Sequence, residues 1–252
     1  MTIERRNFLR GAAVTVGGLA AASIAPTVAG AADPKPEQVA FHGPHQAGIL
    51  TPRQNHAAFL AFDLTATTRA ELVELMKTLT ERARFLATGG TPPQLGISAP
   101  PLDSGILGPT VTPDSLSITV GLGASLFDDR FGLSNAKPVK LRQMDVFPDD
   151  DIDRARSDGD LLVQVCAAEL DTVLHAVRDL ARHTRGGMQA RWRLDGFAGP
   201  PRPTGAPRNL LGFKDGTANP DPSDTGLMRQ LVWVGDGRQE PGWASGGSYQ
   251  VV

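Results

Sequence analysis

The chain holds a single cysteine and a single tyrosine in 252 residues. With Cys166 alone, no intramolecular disulfide can form, so the fold does not lean on an oxidising compartment. Charge of one sign is scarce too: 25 Lys and Arg face 27 Asp and Glu, a formal net charge of −2. The basic residues are dispersed, and no Lys/Arg stripe interleaves with aromatics, which excludes the electrostatic footprint of a nucleic-acid binder. The five histidines form no His-x-x-x-His pair, and no Cys/His cluster has metal-ligand spacing. The weakly apolar run Gly11 to Ala25 is too short and too mild to span a bilayer, so no integral membrane protein is expected.

That run belongs instead to an export signal. Arg5-Arg6-Asn7-Phe8-Leu9 precedes it, Pro26 breaks it, and Ala29-Gly30-Ala31 offers a small-x-small cleavage site. The twin arginines followed by Phe8-Leu9 point to the twin-arginine route over an ordinary secretory signal, in which Arg5 and Arg6 are only the charged opening segment. Residues 1–31 therefore read as a signal peptide, with a periplasmic or secreted destination. Residues 32–54, aperiodic and containing Pro, Gly and Gln, read as an arm laid over the surface.

Order is expected from residue 55. Ala57–Leu64 is a short apolar run bounded by polar residues, which predicts a buried strand. Thr68 with Glu71 makes a capping box, and Leu72, Leu75, Met76, Leu79, Ala83 and Leu86 recur at helical spacing, predicting a helix over 69–87. A long Gly/Pro-rich loop, Gly89 to Pro113, precedes the alternating strand Leu116–Val120; loops of that length are functional or form an arm. A strand over Leu161–Ala167 follows, with Cys166 read as a small core residue. The next helix has the apolar face Leu170, Val173, Leu174, Val177, Leu180 and Ala181, and Met188–Leu194 alternates as a strand. The order β-α-β-β-α-β predicts an α+β, ferredoxin-like domain over 55–200, an antiparallel sheet with two helices on one face.

His175 and His183 are expected on the polar, solvated face of that second helix, and neither as an iron ligand. His42 and His45 fall in the arm and His56 at the first strand. Asp149-Asp150-Asp151 with Asp153 is an acidic knot whose reading as a solvated loop outweighs that of a cation site.

The segment Asn209–Pro220, NLLGFKDGTANP, is the one stretch from which chemistry can be written. A glycine on each side of Phe213-Lys214-Asp215 lets the backbone take positive φ and approach a bulky partner. By itself Gly-x-x-Asp-Gly is equally the pattern of a surface turn capped by an aspartate. Its flanks, Asn209-Leu210-Leu211 and Thr217-Ala218-Asn219-Pro220, together with the N-terminal twin arginines, resemble the dye-decolourising haem peroxidases, and within them the twin-arginine-exported deferrochelatase branch of bacterial iron uptake. Leu126-Phe127-Asp128, Arg130-Phe131-Gly132-Leu133, Gly159–Gln164, Gln230–Val234 and Gly246–Gln250 extend the likeness in the same order, over about His56 to Val252.

The resemblance implies haem b as cofactor, with hydrogen peroxide and small organic reductants, or haem itself, as substrates. It also implies iron-uptake components as partners and leaves room for a homo-oligomer. Asp215 is then the catalytic acid and base. Peroxide heterolysis needs a proton carried from one oxygen to the other, and a carboxylate ionised at rest can accept and return it. Gly216, Thr217 and Ala218 are the backbone against the haem edge. The resemblance places the axial histidine and a distal arginine, which would stabilise developing negative charge, beyond Val252, so no metal ligand is expected here. Residues 201–252 are expected to be the start of a second, truncated ferredoxin-like domain that binds haem, with a strand near Leu231–Val234. The chain alone is expected to be inactive. Taken without the resemblance, the residues also allow a non-catalytic periplasmic ferredoxin-like module for haem, or a partner in metal uptake.

Overall fold

The computed structural model describes residues 38–96, 98–199, 208–214, 216, 218–235 and 240–252. Four strands and two long helices alternate as the periodicity predicts: β1 (His56–Leu64), α1 (Arg69–Thr88), β2 (Ser117–Leu122), β3 (Leu161–Ala167), α2 (Leu170–His183) and β4 (Met188–Phe197). The sheet order is β2-β3-β1-β4 and every pairing is antiparallel. The architecture is the expected α+β, ferredoxin-like one.

Period-two alternation on the strands and 3.6-residue spacing on the helices make one shared core. Ala58, Leu60, Phe62 and Leu64 of β1, with Val163, Val165 and Ala167 of β3, pack on Leu72, Leu75, Leu79 and Leu86 of α1 and Val173, Val177 and Leu180 of α2. The start of α1 is fixed by the predicted capping box: Glu71 N donates to Thr68 Oγ1 at 3.2 Å, and Glu71 Oε2 accepts from Thr68 N at 3.2 Å.

On the sheet's opposite face lies the later part of the arm, Ala47 to Gln54. Thr119 Oγ1 donates to the Ala47 carbonyl at 2.5 Å, and Gln54 Nε2 donates to the Cys166 carbonyl at 2.9 Å. Gly48 has φ +96, and a Cβ there would fall 2.1 Å from Thr119 Oγ1, so no other residue fits. Gln46 covers an open strand edge: its amide donates to the Val120 carbonyl at 3.0 Å and accepts from Val120 N at 2.9 Å. Cys166 is buried and free, but register with Ala57 and Ser117 puts it on this arm-covered face, not in the helix-packed core.

Two expectations are corrected. His175 is not on a solvated face: it is 1% exposed, and its Nε2 donates to Asp103 Oδ2 at 2.6 Å. The buried arc of α2 is turned, leaving Leu170, Leu174 and Ala181 exposed and burying Thr172, His175 and Asp179. Polar residues hold that arc because each has a partner. Arg82 of α1 makes two hydrogen bonds to Asp179, at 2.8 and 2.7 Å, and the Gly89–Pro113 loop brings Asp103 down onto His175. His183 is half-buried, its Nδ1 donating to the Asp179 carbonyl at 2.9 Å. The other correction is Leu231–Val234, which is no strand: α3 (Thr225–Leu231) ends there, started by Asp224 Oδ1 accepting from Gly226 N and Leu227 N.

Asp160, buried at the mouth of β3, joins several segments at once. It accepts from Leu64 N at 2.9 Å, Ser125 Oγ at 2.6 Å, and Arg130 Nη1 and Nη2 at 3.1 and 2.9 Å. Burial pushes its carboxyl up, but the hydrogen bonds from Arg130, Ser125 and Leu64 outweigh this and hold it below the usual carboxylate range. The stability it contributes is therefore present above that range and is lost as pH falls through its lowered value. Asp160→Asn is expected to cost about 2 kcal/mol at neutral pH, a figure reduced for the partly exposed Arg130. Urea unfolding checks this: between neutrality and pH below about 4 the midpoint should drop more in the wild type than in the variant.

Candidate active-site turn and family membership

β4 hands the chain to the candidate site. Its last hydrogen bonds to the N-terminal side of β1 are Ala198 N to the Asn55 carbonyl at 2.7 Å and Arg53 Nη2 to the Gly199 carbonyl at 3.1 Å. The described chain resumes at Arg208 as a tight hairpin, with Arg208 bridged to Lys214. Asn209 knits it. Its Oδ1 accepts from Leu211 N and Phe213 N, both at 3.1 Å, its N–H donates to the Phe213 carbonyl at 3.0 Å, and its carbonyl accepts from Gly212 N at 2.9 Å. Arg208 Nη1 donates to the Gly212 carbonyl at 2.7 Å. Gly212, at φ +85, occupies the left-handed region that closing this turn requires.

Of the four residues expected to carry the chemistry, Asp215 and Thr217 lie outside the described residues. Gly216 adopts φ +72, and Ala218 sits in the turn that follows. The positive φ expected of the two flanking glycines is present at both. The hairpin points its apolar side chains outward: Leu210 is 92% exposed, Leu211 82% and Phe213 68%. Three such side chains in one hairpin make an apolar ledge on which a broad ligand can lie. Past it, Asp221 Oδ1 accepts from Ser223 N and Ser223 Oγ at 2.8 Å, and Asp224 then caps α3.

Four of the five histidines are otherwise occupied. His42 Nε2 accepts from Arg84 Nε at 3.2 Å, His45 Nδ1 donates to the Gly246 carbonyl at 2.9 Å, and His175 and His183 are held by Asp103 and the Asp179 carbonyl. Among the described residues no group of three or more His, Cys, Asp or Glu has metal-binding geometry. The acidic knot is exposed, with Asp150 Oδ2 accepting from Phe147 N and Asp153 Oδ1 from Ala155 N, as a solvated loop requires. Among the described residues no helix is long and apolar enough to cross a membrane. Tested against haem, the described residues of the hairpin supply an apolar contact ledge, Leu210, Leu211 and Phe213, that fits one side of a broad planar group.

The sequence reading credited the two glycines and missed Asn209. Its signal was present: Asn three residues before a glycine is the mark of a side chain that imitates a backbone turn. Asn209→Ala is expected to speed hydrogen exchange at the Leu211 and Phe213 amides about tenfold while leaving the unfolding midpoint unchanged, because only exposed local bonds are lost. Asn209→Asp, which retains the acceptor oxygen, should restore the slow exchange.

Comparison with known proteins agrees with this layout. Residues 46–198 match the family model described as Dyp-type peroxidase, N-terminal, and residues 206–252 match Dyp-type peroxidase, C-terminal. The chain is 46% identical over 248 residues to a deferrochelatase of Yersinia pestis, covering 95% of this chain and 57% of that protein. It is 48% identical over 225 residues to a deferrochelatase of Escherichia coli K12, covering 87% and 53%. It thus spans about half the length of the curated relatives it matches. Among solved structures, the DyP-type peroxidase from Cellulomonas bogoriensis superposes with a TM-score of 0.70 at 36% identity, over 84% of this chain and 56% of that one. An oxyferrous/water mixed complex of DtpA from Streptomyces lividans gives 0.71 at 34%, over 84% and 55%. With the two family models matched over 46–198 and 206–252, the chain belongs to the Dyp-type peroxidase family.

Proposed function

We propose that the protein acts as an exported haem-dependent peroxidase of the deferrochelatase type, reducing hydrogen peroxide at the expense of small organic reductants and releasing iron from haem in the service of iron uptake. The observation that carries this reading is the Asn209-knit hairpin, with its outward-facing apolar side chains and its glycines at 212 and 216 both in the left-handed region. The deferrochelatase name of relatives 46 to 48% identical supports it, as does the oxyferrous DtpA complex.

In this reading Asp215 is the proton carrier. Ionised at rest, it takes the proton from one peroxide oxygen and returns it to the other as the O–O bond breaks. Gly216, Thr217 and Ala218 would lie against the haem edge, and Gly216 has no side chain to hold the ring away. Leu210, Leu211 and Phe213, exposed in the same hairpin, would give the group its apolar contact. Haem, when bound, supplies the redox chemistry, and the chain supplies position and field.

Asp215→Asn keeps the shape of the side chain and removes the base. In the haem-loaded protein it should leave haem bound and slow the reaction with peroxide at least about 100-fold in rapid mixing; a wild-type rate would remove Asp215 from the mechanism. The export reading rests on Arg5-Arg6-Asn7-Phe8-Leu9. Replacing both arginines by lysine should leave the precursor in the cytoplasm on fractionation, and continued export would assign the segment to the general secretory channel instead.

A further inference from the structure

Beyond the hairpin the chain folds back onto the N-terminal arm and leaves an open cleft of about 470 Å3 between them. The cleft is lined by His45 and Leu50 of the arm and by Pro222, Met228, Arg229 and Trp233, around and after α3. The aromatic wall is built in advance. The rings of His45 and Trp233 stack with centroids 3.5 Å apart and planes 4° from parallel. His45 Nδ1 is fixed on the Gly246 carbonyl, and Val234 exchanges backbone hydrogen bonds with Gly247 and Gly246 at 2.8 and 2.9 Å. Trp233 is thereby held from both its ring and its backbone, and buried Met228 adds to the lining.

Arg229 is the charged residue of this lining, and it is exposed. Its Nε donates to the Thr225 carbonyl at 3.1 Å, and among the described residues no carboxylate pairs with it. Of the carboxylates near it in sequence, Asp224 accepts from Gly226 N and Leu227 N and Asp221 from Ser223, while Asp236 lies outside the described residues. A cleft of this volume is in the range of small-molecule sites. A flat aromatic wall selects a planar ring, and a guanidinium with free N–H groups selects an anion that can accept two hydrogen bonds.

We propose that this cleft binds a small planar aromatic carboxylate, its ring against the His45 and Trp233 wall and its carboxylate on the Arg229 guanidinium. The inference does not rest on the peroxidase reading, since it needs neither haem nor turnover. Isothermal titration of the full chain with 2-naphthoate, and with the uncharged 2-naphthamide, tests it. One saturable site for naphthoate is expected; Arg229→Gln should weaken it about tenfold and leave naphthamide within about twofold, while Trp233→Leu should remove both. Arg229 is exposed, so its variant keeps the fold even where the tryptophan variant does not. Absence of saturable binding, equal affinity of the wild type for acid and amide, or an unchanged affinity in Arg229→Gln would overturn the assignment.

Discussion

Strand β1 is the element on which the rest depends. It alone among the first three strands is paired with β4, and it runs between β3 and β4 with seven register partners on one side and nine on the other. Its even-numbered residues enter the core under α1 and α2, and its odd-numbered ones face the other way. The segment before it closes the ladder onto Ala198 and Gly199, and its last residue, Leu64, gives its N–H to Asp160. A slip of one residue in β1 would invert both faces and move the exit of β4 toward the candidate site. Positioning of the hairpin at 208–214 therefore begins with register in a strand far from it in sequence.

The helical domain was largely legible because its signals are local. The capping box of Thr68 and Glu71, the spacing of Leu72, Leu75, Leu79 and Leu86, and the alternation in β3 each lie within one element, and the ends found agree closely with those expected. α2 was misread at its polar positions for the opposite reason. Hydrophobic patterning scores His175 and Asp179 as solvent-facing, yet each is satisfied by a group distant in sequence, Asp103 and Arg82. A buried polar residue costs little when its partner is fixed, and nothing near it in sequence announces that partner. The expected strand at Leu231–Val234 failed similarly: Asp224, seven residues earlier, starts a helix that runs through Leu231.

At the candidate site the sequence supplied the residue types and the structure supplied the scaffolding. The glycines were recognised for their conformational freedom, and both take it. Asn209 was passed over, although its side chain holds two of the turn's N–H groups. The His45 and Trp233 stack joins the arm to the C-terminal stretch, a contact no local pattern can reveal. These features describe a ferredoxin-like base that carries an exposed turn, the kind of scaffolded loop that can hold binding and catalytic residues.

The claim at the centre of this account is that a carboxylate at 215 carries the proton in peroxide cleavage. The most direct test is the pH dependence of the second-order rate of the haem-loaded protein with hydrogen peroxide, compared between wild type and Asp215→Glu. A carboxylate base predicts a rate that holds down to about pH 5 and falls through about pH 4 in the wild type, with a midpoint about half a unit higher in the glutamate variant. A midpoint near pH 6.5, or one that the glutamate leaves unmoved, would assign the proton to a different group and contradict the account.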